Sequence, residues 1–279
     1  MLTRAHICVQ QMADHVEVMH GLKPYATPGV FFPVLTPNLQ GYEKAVQAGA
    51  TEVAIFAAAS ETFSKKNINC TIAESIDRFK PVAGARRGGK RARADTQPEA
   101  AARDKVRLRG YVSCVLGCPF QGNVPFSEVA RVGEALLALG CYEVSLGDTI
   151  GIGTPGKTRA MLRAVKSSIP AEKLAVHFHD TYGQAVANIL VGLDEGISVV
   201  DASVAGLGGC PYSPGATGNV ATEDVVFMLN GLGVSSGVDL ERLVGVGEAI
   251  SKLLVRKNAS RTATAMLSAR KRRATEKQA

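Results

Sequence analysis

The sequence predicts an α/β protein built on a parallel sheet. Two observations carry this. Short apolar, β-rich runs alternate along the chain with amphipathic stretches at three-to-four spacing, and polar or reactive residues gather just after the runs. The runs are VFFPVLTP (30–37), EVAIFAAAS (52–60), VRLRGYVSC (106–114), YEVSLGDT (142–149), KLAVHFHD (173–180) and SVVDASVAG (198–206). Between them NLQGYEKAVQAG, PFSEVARVGEALLALG and TPGKTRAMLRAVKSSI read as helices, and Gly49 and Gly140 read as helix ends. QMADHVEVMHGL, ahead of the first run, reads as a further helix.

Six strands are short of the eight that close a (β/α)8 barrel. Either the barrel is not closed, or its first units are missing. Ser60 and Glu61, Cys114, Asp148 and Thr149, and His179 and Asp180 all follow strands. That is the side on which open α/β sheets and barrels alike build their sites.

Composition narrows the rest. The 279 residues are 46% apolar, enough to fill a core. No apolar run is long enough to cross a bilayer, so no membrane role is expected. The N-terminal stretch lacks the apolar core of a secretory signal. The net charge of +7 is unevenly spread. Residues 84–109 carry +6 and residues 252–279 carry +8, which leaves −7 on the remaining body. The first basic segment falls where a short loop belongs and reads as a disordered surface insertion over 84–105. The second reads as a solvated tail over 256–279, appended to one domain spanning 1–255. Neither has aromatic residues for base stacking, so nucleic acid is not the expected partner. The six cysteines are scattered, and the C-x3-C of Cys114 and Cys118 is not zinc spacing.

Three motifs bear chemistry. GIGTPGKT (151–158) matches the phosphate-loop pattern between a strand and a helix. Against this, Pro155 has no N–H to offer a phosphate, and a helix capped at Thr154 with Pro155 in its first turn explains the same letters. HFHD places His177 and His179 on one side of a strand, where two imidazoles suit a divalent metal or a polar sheet edge. SVAGLGGCPYSPGATGNVATED (203–224) is a glycine-rich loop able to carry Cys210 over a site, with Asn219 as helix cap or metal ligand.

SVAGLGGCPY resembles the active-site signature of the 3-hydroxy-3-methylglutaryl-CoA (HMG-CoA) lyases. ATGNVATED, HFHDTYGQ, SLGDTIGIGTPG, RGYVSCVLGCP and FAAASETFSKKNIN are similar to segments of that family in the same order, from about residue 11 to about 255. The resemblance implies a TIM-like (β/α)8 barrel, here incomplete, with Mg²⁺ or Mn²⁺ at its C-terminal face. It implies His177, His179 and Asn219 as metal ligands, Cys210 as the catalytic cysteine and Asp148 as a supporting acid. The implied substrate is an acyl-CoA, HMG-CoA, split to acetyl-CoA and acetoacetate. A homodimer is a further expectation. The compartment implied is the mitochondrial matrix in a eukaryote and the cytoplasm in a bacterium. The family's first strand ends in Arg-Asp-Gly, supplying a further ligand and an enolate-neutralising arginine. This sequence has no such motif, so a catalytically impaired paralogue that binds metal or acyl-CoA is the alternative.

Overall fold

The structure, a computed structural model, describes residues 14–86, 106–209 and 218–276. Six parallel strands lie in sequence order: β1 (Val34–Leu35), β2 (Glu52–Ala58), β3 (Arg107–Ser113), β4 (Glu143–Asp148), β5 (Leu174–Phe178) and β6 (Val199–Asp201). All six predicted runs contain one of these strands. The order never reverses. A doubly wound sheet changes direction at a switch point, whereas a barrel winds one way, so the topology is the barrel's. The sheet does not close among the described residues: β1 and β6 remain its edges.

Helices separate the strands. They are α1 (His15–Leu22), α2 (Leu39–Gln47), α3 (Glu61–Ile68), α4 (Ile72–Arg86), α5 (Phe126–Ala138), α6 (Pro155–Lys166) and α7 (Ala185–Asp194). α8 (Thr222–Gly231), α9 (Leu240–Leu253) and α10 (Arg261–Glu276) follow the last strand. Local chemistry sets their starts. Asn38 Oδ1 accepts from the Gly41 N–H at 2.9 Å, and Ser60 Oγ accepts from Phe63 N–H at 3.1 Å. Gly49 (φ +93°) and Gly140 (φ +98°) terminate α2 and α5 in the left-handed conformation, as the sequence predicts.

One face of the sheet packs under the helices. Leu108, Val144, Leu146 and Val176 are buried there with Leu136, Met161, Leu162 and Ile189. Gly110 lies on this face, where an added Cβ would sit 3.2 Å from Leu136 and Cys141. By alternation Arg109, Tyr111, Glu143, Ser145, His177 and Asp201 occupy the opposite, inner face.

Two expectations change. The basic tail is not a solvated flexible segment over its whole length: residues 261–276 form α10. Ser260 Oγ accepts from Ala263 N–H at 2.9 Å, and Asp224 Oδ1 takes both Ser260 Oγ and Thr262 N–H at 2.8 Å. That double cap and the buried Ala263 tie the helix to α8 and α9 despite its charge. Of the expected insertion at 84–105, residues 84–86 belong to α4, and residues 87–105 lie outside the described residues.

Candidate active site

The strand ends converge at the C-terminal edge of the sheet. His177 is the fourth residue of β5 and His179 follows the strand directly; their ring centroids are 5.3 Å apart. An isolated antiparallel bridge joins His179 to Asn219, and Asp180 N–H donates to Gly218 O at 3.1 Å. Chain separated by forty residues is thereby laid beside the two imidazoles. Gly218 makes this close approach at φ +96°, where a Cβ would fall 2.1 Å from the Gly208 carbonyl oxygen.

Hydrogen bonds fix the donors. His179 Nδ1 lies 2.8 Å from the Thr149 carbonyl oxygen, which can only accept. Nδ1 therefore carries the proton and Nε2 keeps its lone pair. Burial, reinforced by the neighbouring His177, pushes the His179 pKa down and favours the neutral ring. Asn219 Nδ2 donates to Leu207 O at 2.9 Å, and its side chain also hydrogen-bonds His179. The structure thus lays His177 beside His179 and Asn219 against His179, a set of donors whose chemistry fits a divalent cation that accepts mixed nitrogen and oxygen ligands. Among the described residues, no three His, Cys, Asp or Glu side chains group as a metal site. The carboxamide is what completes the trio.

Asp148 supports the site from below. It is fully buried at the end of β4, and its Oδ2 accepts from Gly153 N–H at 2.8 Å. Burial raises its pKa, opposed by hydrogen bonds from the amides of Gly153, Ile152 and Gly151. These amides of the GIGTPGKT loop are turned onto the protein's own carboxylate, and Pro155 is the first residue of α6. The loop therefore has no cradle to offer a nucleotide phosphate. Its amides serve Asp148 instead, while Thr149, whose carbonyl orients His179, accepts from Cys114 N–H on its hydroxyl at 2.8 Å.

The sequence reading missed the network behind His177. Arg109 Nε lies 2.7 Å from Glu143 Oε1, and its NH2 lies 2.9 Å from Asp201 Oδ1. Ser145 Oγ donates to Asp201 Oδ2 at 2.7 Å, and that oxygen is 3.4 Å from His177 Nδ1. Arg109 also hydrogen-bonds Tyr111, whose ring packs edge-on against His177. Burial alone would raise the Asp201 pKa. The His177 and Arg109 contacts outweigh it and hold the carboxyl below its ordinary range. The signals in the sequence were Arg107 and Arg109 at alternate positions of β3 and the lone acids Glu143 and Asp201 inside β4 and β6.

Glu223 was also missed. Fully buried in the first turn of α8, it accepts the Ala205 N–H on both oxygens, at 3.0 and 2.9 Å. Ala205 stands at φ +56°, so this carboxylate anchors a strained turn at the base of the glycine-rich loop. Cys210 lies outside the described residues. Gly209 and Gly218, which bracket its segment, stand beside Asn219 and its neighbours. Cys118 is buried and its sulfur accepts from Ser60 Oγ at 3.1 Å, an internal role with no zinc pair.

The HMGL-like family profile matches residues 7–250. The chain belongs to the HMG-CoA lyase family. It is 58% identical over 257 residues to the mitochondrial hydroxymethylglutaryl-CoA lyase of Gallus gallus, covering 92% of this chain and 80% of the relative. It is 54% identical to the 3-hydroxy-3-isohexenylglutaryl-CoA/hydroxy-methylglutaryl-CoA lyase of Pseudomonas aeruginosa, covering 93% and 81%. The crystal structure of hydroxymethylglutaryl-CoA lyase from Pseudomonas aeruginosa superposes with a TM-score of 0.83 over 93% of this chain and 81% of that one, at 54% identity. An HMG-CoA lyase from Acinetobacter baumannii in complex with coenzyme A and 3-methylmalate matches at 32% identity, with a TM-score of 0.79 and coverage of 90% and 77%. Together with the one-way strand order, these lyase structures identify the fold as TIM-like, with an unclosed sheet.

Proposed function

We propose that this chain cleaves HMG-CoA to acetyl-CoA and acetoacetate with the help of Mg²⁺ or Mn²⁺. The convergence of His177, His179 and Asn219 at the C-terminal edge of the sheet carries the reading. When bound, the cation would polarise the C3 hydroxyl and the carboxylate of the substrate, easing loss of the hydroxyl proton. The imidazoles of His177 and His179 and the Asn219 carboxamide oxygen would hold it. As the C3–O bond becomes a carbonyl, the C2–C3 electron pair leaves as the enolate of acetyl-CoA. Cys210 then donates a proton to that carbon, giving acetyl-CoA, and the proton released from the C3 hydroxyl restores the thiol over the turnover.

The same end of the molecule suits a coenzyme A tail. A cleft of about 590 Å³ between α9 and α10 is lined by Arg256, Lys257 and Arg261. Arg261 reaches within 3.5 Å of the Cβ position of Gly183, in the loop that follows His179. Three cations beside the site match the phosphates of an acyl-CoA. The test is retro-Claisen turnover with added Mn²⁺, abolished in Cys210→Ser.

A second reading has its own support. Among the described residues, the set formed by His177, His179 and Asn219 contains no carboxylate, and the sheet keeps two edges. A chain that binds metal or acyl-CoA without efficient turnover would show Mn²⁺-dependent thermal stabilisation and no acetoacetate. The compartment proposed is the mitochondrial matrix in a eukaryote and the cytoplasm in a bacterium; the eukaryotic relatives include both a lyase named mitochondrial, from Gallus gallus, and one named cytoplasmic, from Mus musculus.

A further inference from the structure

We propose that Asp201, clamped by Arg109 and Ser145, positions His177 by holding its Nδ1 proton, so that Nε2 faces the site with its lone pair. The inference rests on the divalent-cation reading above and adds a residue to it. β5 and β6 pair His177 directly with Asp201 in register, so the carboxylate lies beside the imidazole by backbone geometry. His177 Nδ1 is buried, and Asp201 Oδ2, at 3.4 Å, is the acceptor facing it. At 3.4 Å the separation exceeds the usual N–H···O range, and His177 Nδ1 makes no closer hydrogen bond in the structure, so Asp201 is the acceptor toward which its proton is directed.

Asp201 itself is not free to turn. Its Oδ1 is tied to Arg109 at 2.9 Å and its Oδ2 to Ser145 at 2.7 Å. Arg109 is fixed in turn by Glu143 at 2.7 Å. One guanidinium faces two carboxylates, so a residual negative charge remains on the inner face behind the ring. The Asn219 carboxamide carries no charge, and burial favours the neutral ring at His179. The network therefore supplies both an orientation for His177 and a negative potential toward a bound cation. His179 gains its orientation differently, from the Thr149 carbonyl at 2.8 Å. Each ring thus has a separate device for the same tautomer. A network serving only to stabilise the sheet would fix neither the tautomer nor the affinity for a cation.

The test has two arms on the full chain. The first needs no variant: ¹⁵N-histidine NMR of the metal-free protein in neutral buffer. The expected result is His177 as the Nδ1–H tautomer; an Nε2–H tautomer overturns the proposal. The second arm is Mn²⁺ titration followed by electron paramagnetic resonance. Asp201→Asn keeps the shape and removes the charge, and is expected to weaken Mn²⁺ binding by about 10- to 100-fold. Ser145→Ala, which removes one clamp and leaves the charge, should weaken it less. Unchanged affinity in a folded Asp201→Asn protein overturns the proposal. If Asp201→Asn does not fold, the tautomer decides. If the wild-type chain takes up no Mn²⁺ yet His177 is Nδ1–H, the cation reading fails while the positioning by Asp201 stands.

Discussion

Replacing Gly218 by alanine tests how tightly the site is assembled. The new Cβ would lie 2.1 Å from the Gly208 carbonyl oxygen and 2.8 Å from its carbonyl carbon. Those are backbone atoms and cannot rotate away. The residue would also have to keep φ +96°, which an L side chain resists at a cost of about 1–2 kcal/mol. Overpacking of this kind adds roughly 1–3 kcal/mol. The chain has two responses. It can keep the geometry and lose the sum, about 2–5 kcal/mol of stability. Or it can separate residues 207–209 from 218–219, which breaks the His179–Asn219 bridge and the Asn219–Leu207 hydrogen bond. Urea unfolding reads the first response and Mn²⁺ titration the second. Gly209→Ala is the control, because its Cβ would meet nothing within 4 Å. A Gly218→Ala protein with wild-type stability and wild-type Mn²⁺ affinity would refute the reasoning.

Other outcomes follow from the same geometry. Arg109→Ala leaves Glu143 and Asp201 without their cation on the inner face and should cost about 3–5 kcal/mol by urea unfolding. Burial raises the Glu223 pKa, so the folded state holds that proton to higher pH than the unfolded chain does. Its contribution is fully present below the unfolded value of about 4.3 and is lost as pH rises through the raised folded value. The stability of wild type relative to Glu223→Gln should therefore fall across that window; a difference independent of pH would contradict this. Leu162→Ala, at a fully buried position of α6, should lose about 2–5 kcal/mol in the same assay. ATP should produce no thermal shift in wild type or in Lys157→Ala, because the loop amides already serve Asp148.

What the sequence disclosed depended on how local each cause was. β2 to β5 were legible because apolar, β-branched runs covered on both faces announce themselves. β1 shrinks to Val34–Leu35 within an eight-residue run because Pro33 and Pro37 cannot donate to a sheet. Helix α10 escaped notice because its composition reads as solvated, and its anchor, Asp224, lies 36 residues from Ser260. The histidines, Asn219 and Cys210 were legible as motif letters. The partners that orient them were not. Asp201 meets Arg109 across 92 residues of chain, and the Thr149 carbonyl that fixes His179 is a backbone atom with no signature in the side-chain code. Asp148 was legible as an acid at a strand end, but the loop amides that meet its carboxylate are brought to it only by a folded turn.

The direct test of the site is a Mn²⁺ titration of the full chain and of Asn219→Ala, followed by electron paramagnetic resonance. Uptake at a single site, weakened at least tenfold by loss of the carboxamide (about 1.4 kcal/mol), is the predicted result. No uptake by the wild-type chain, or uptake indifferent to Asn219, would contradict the account.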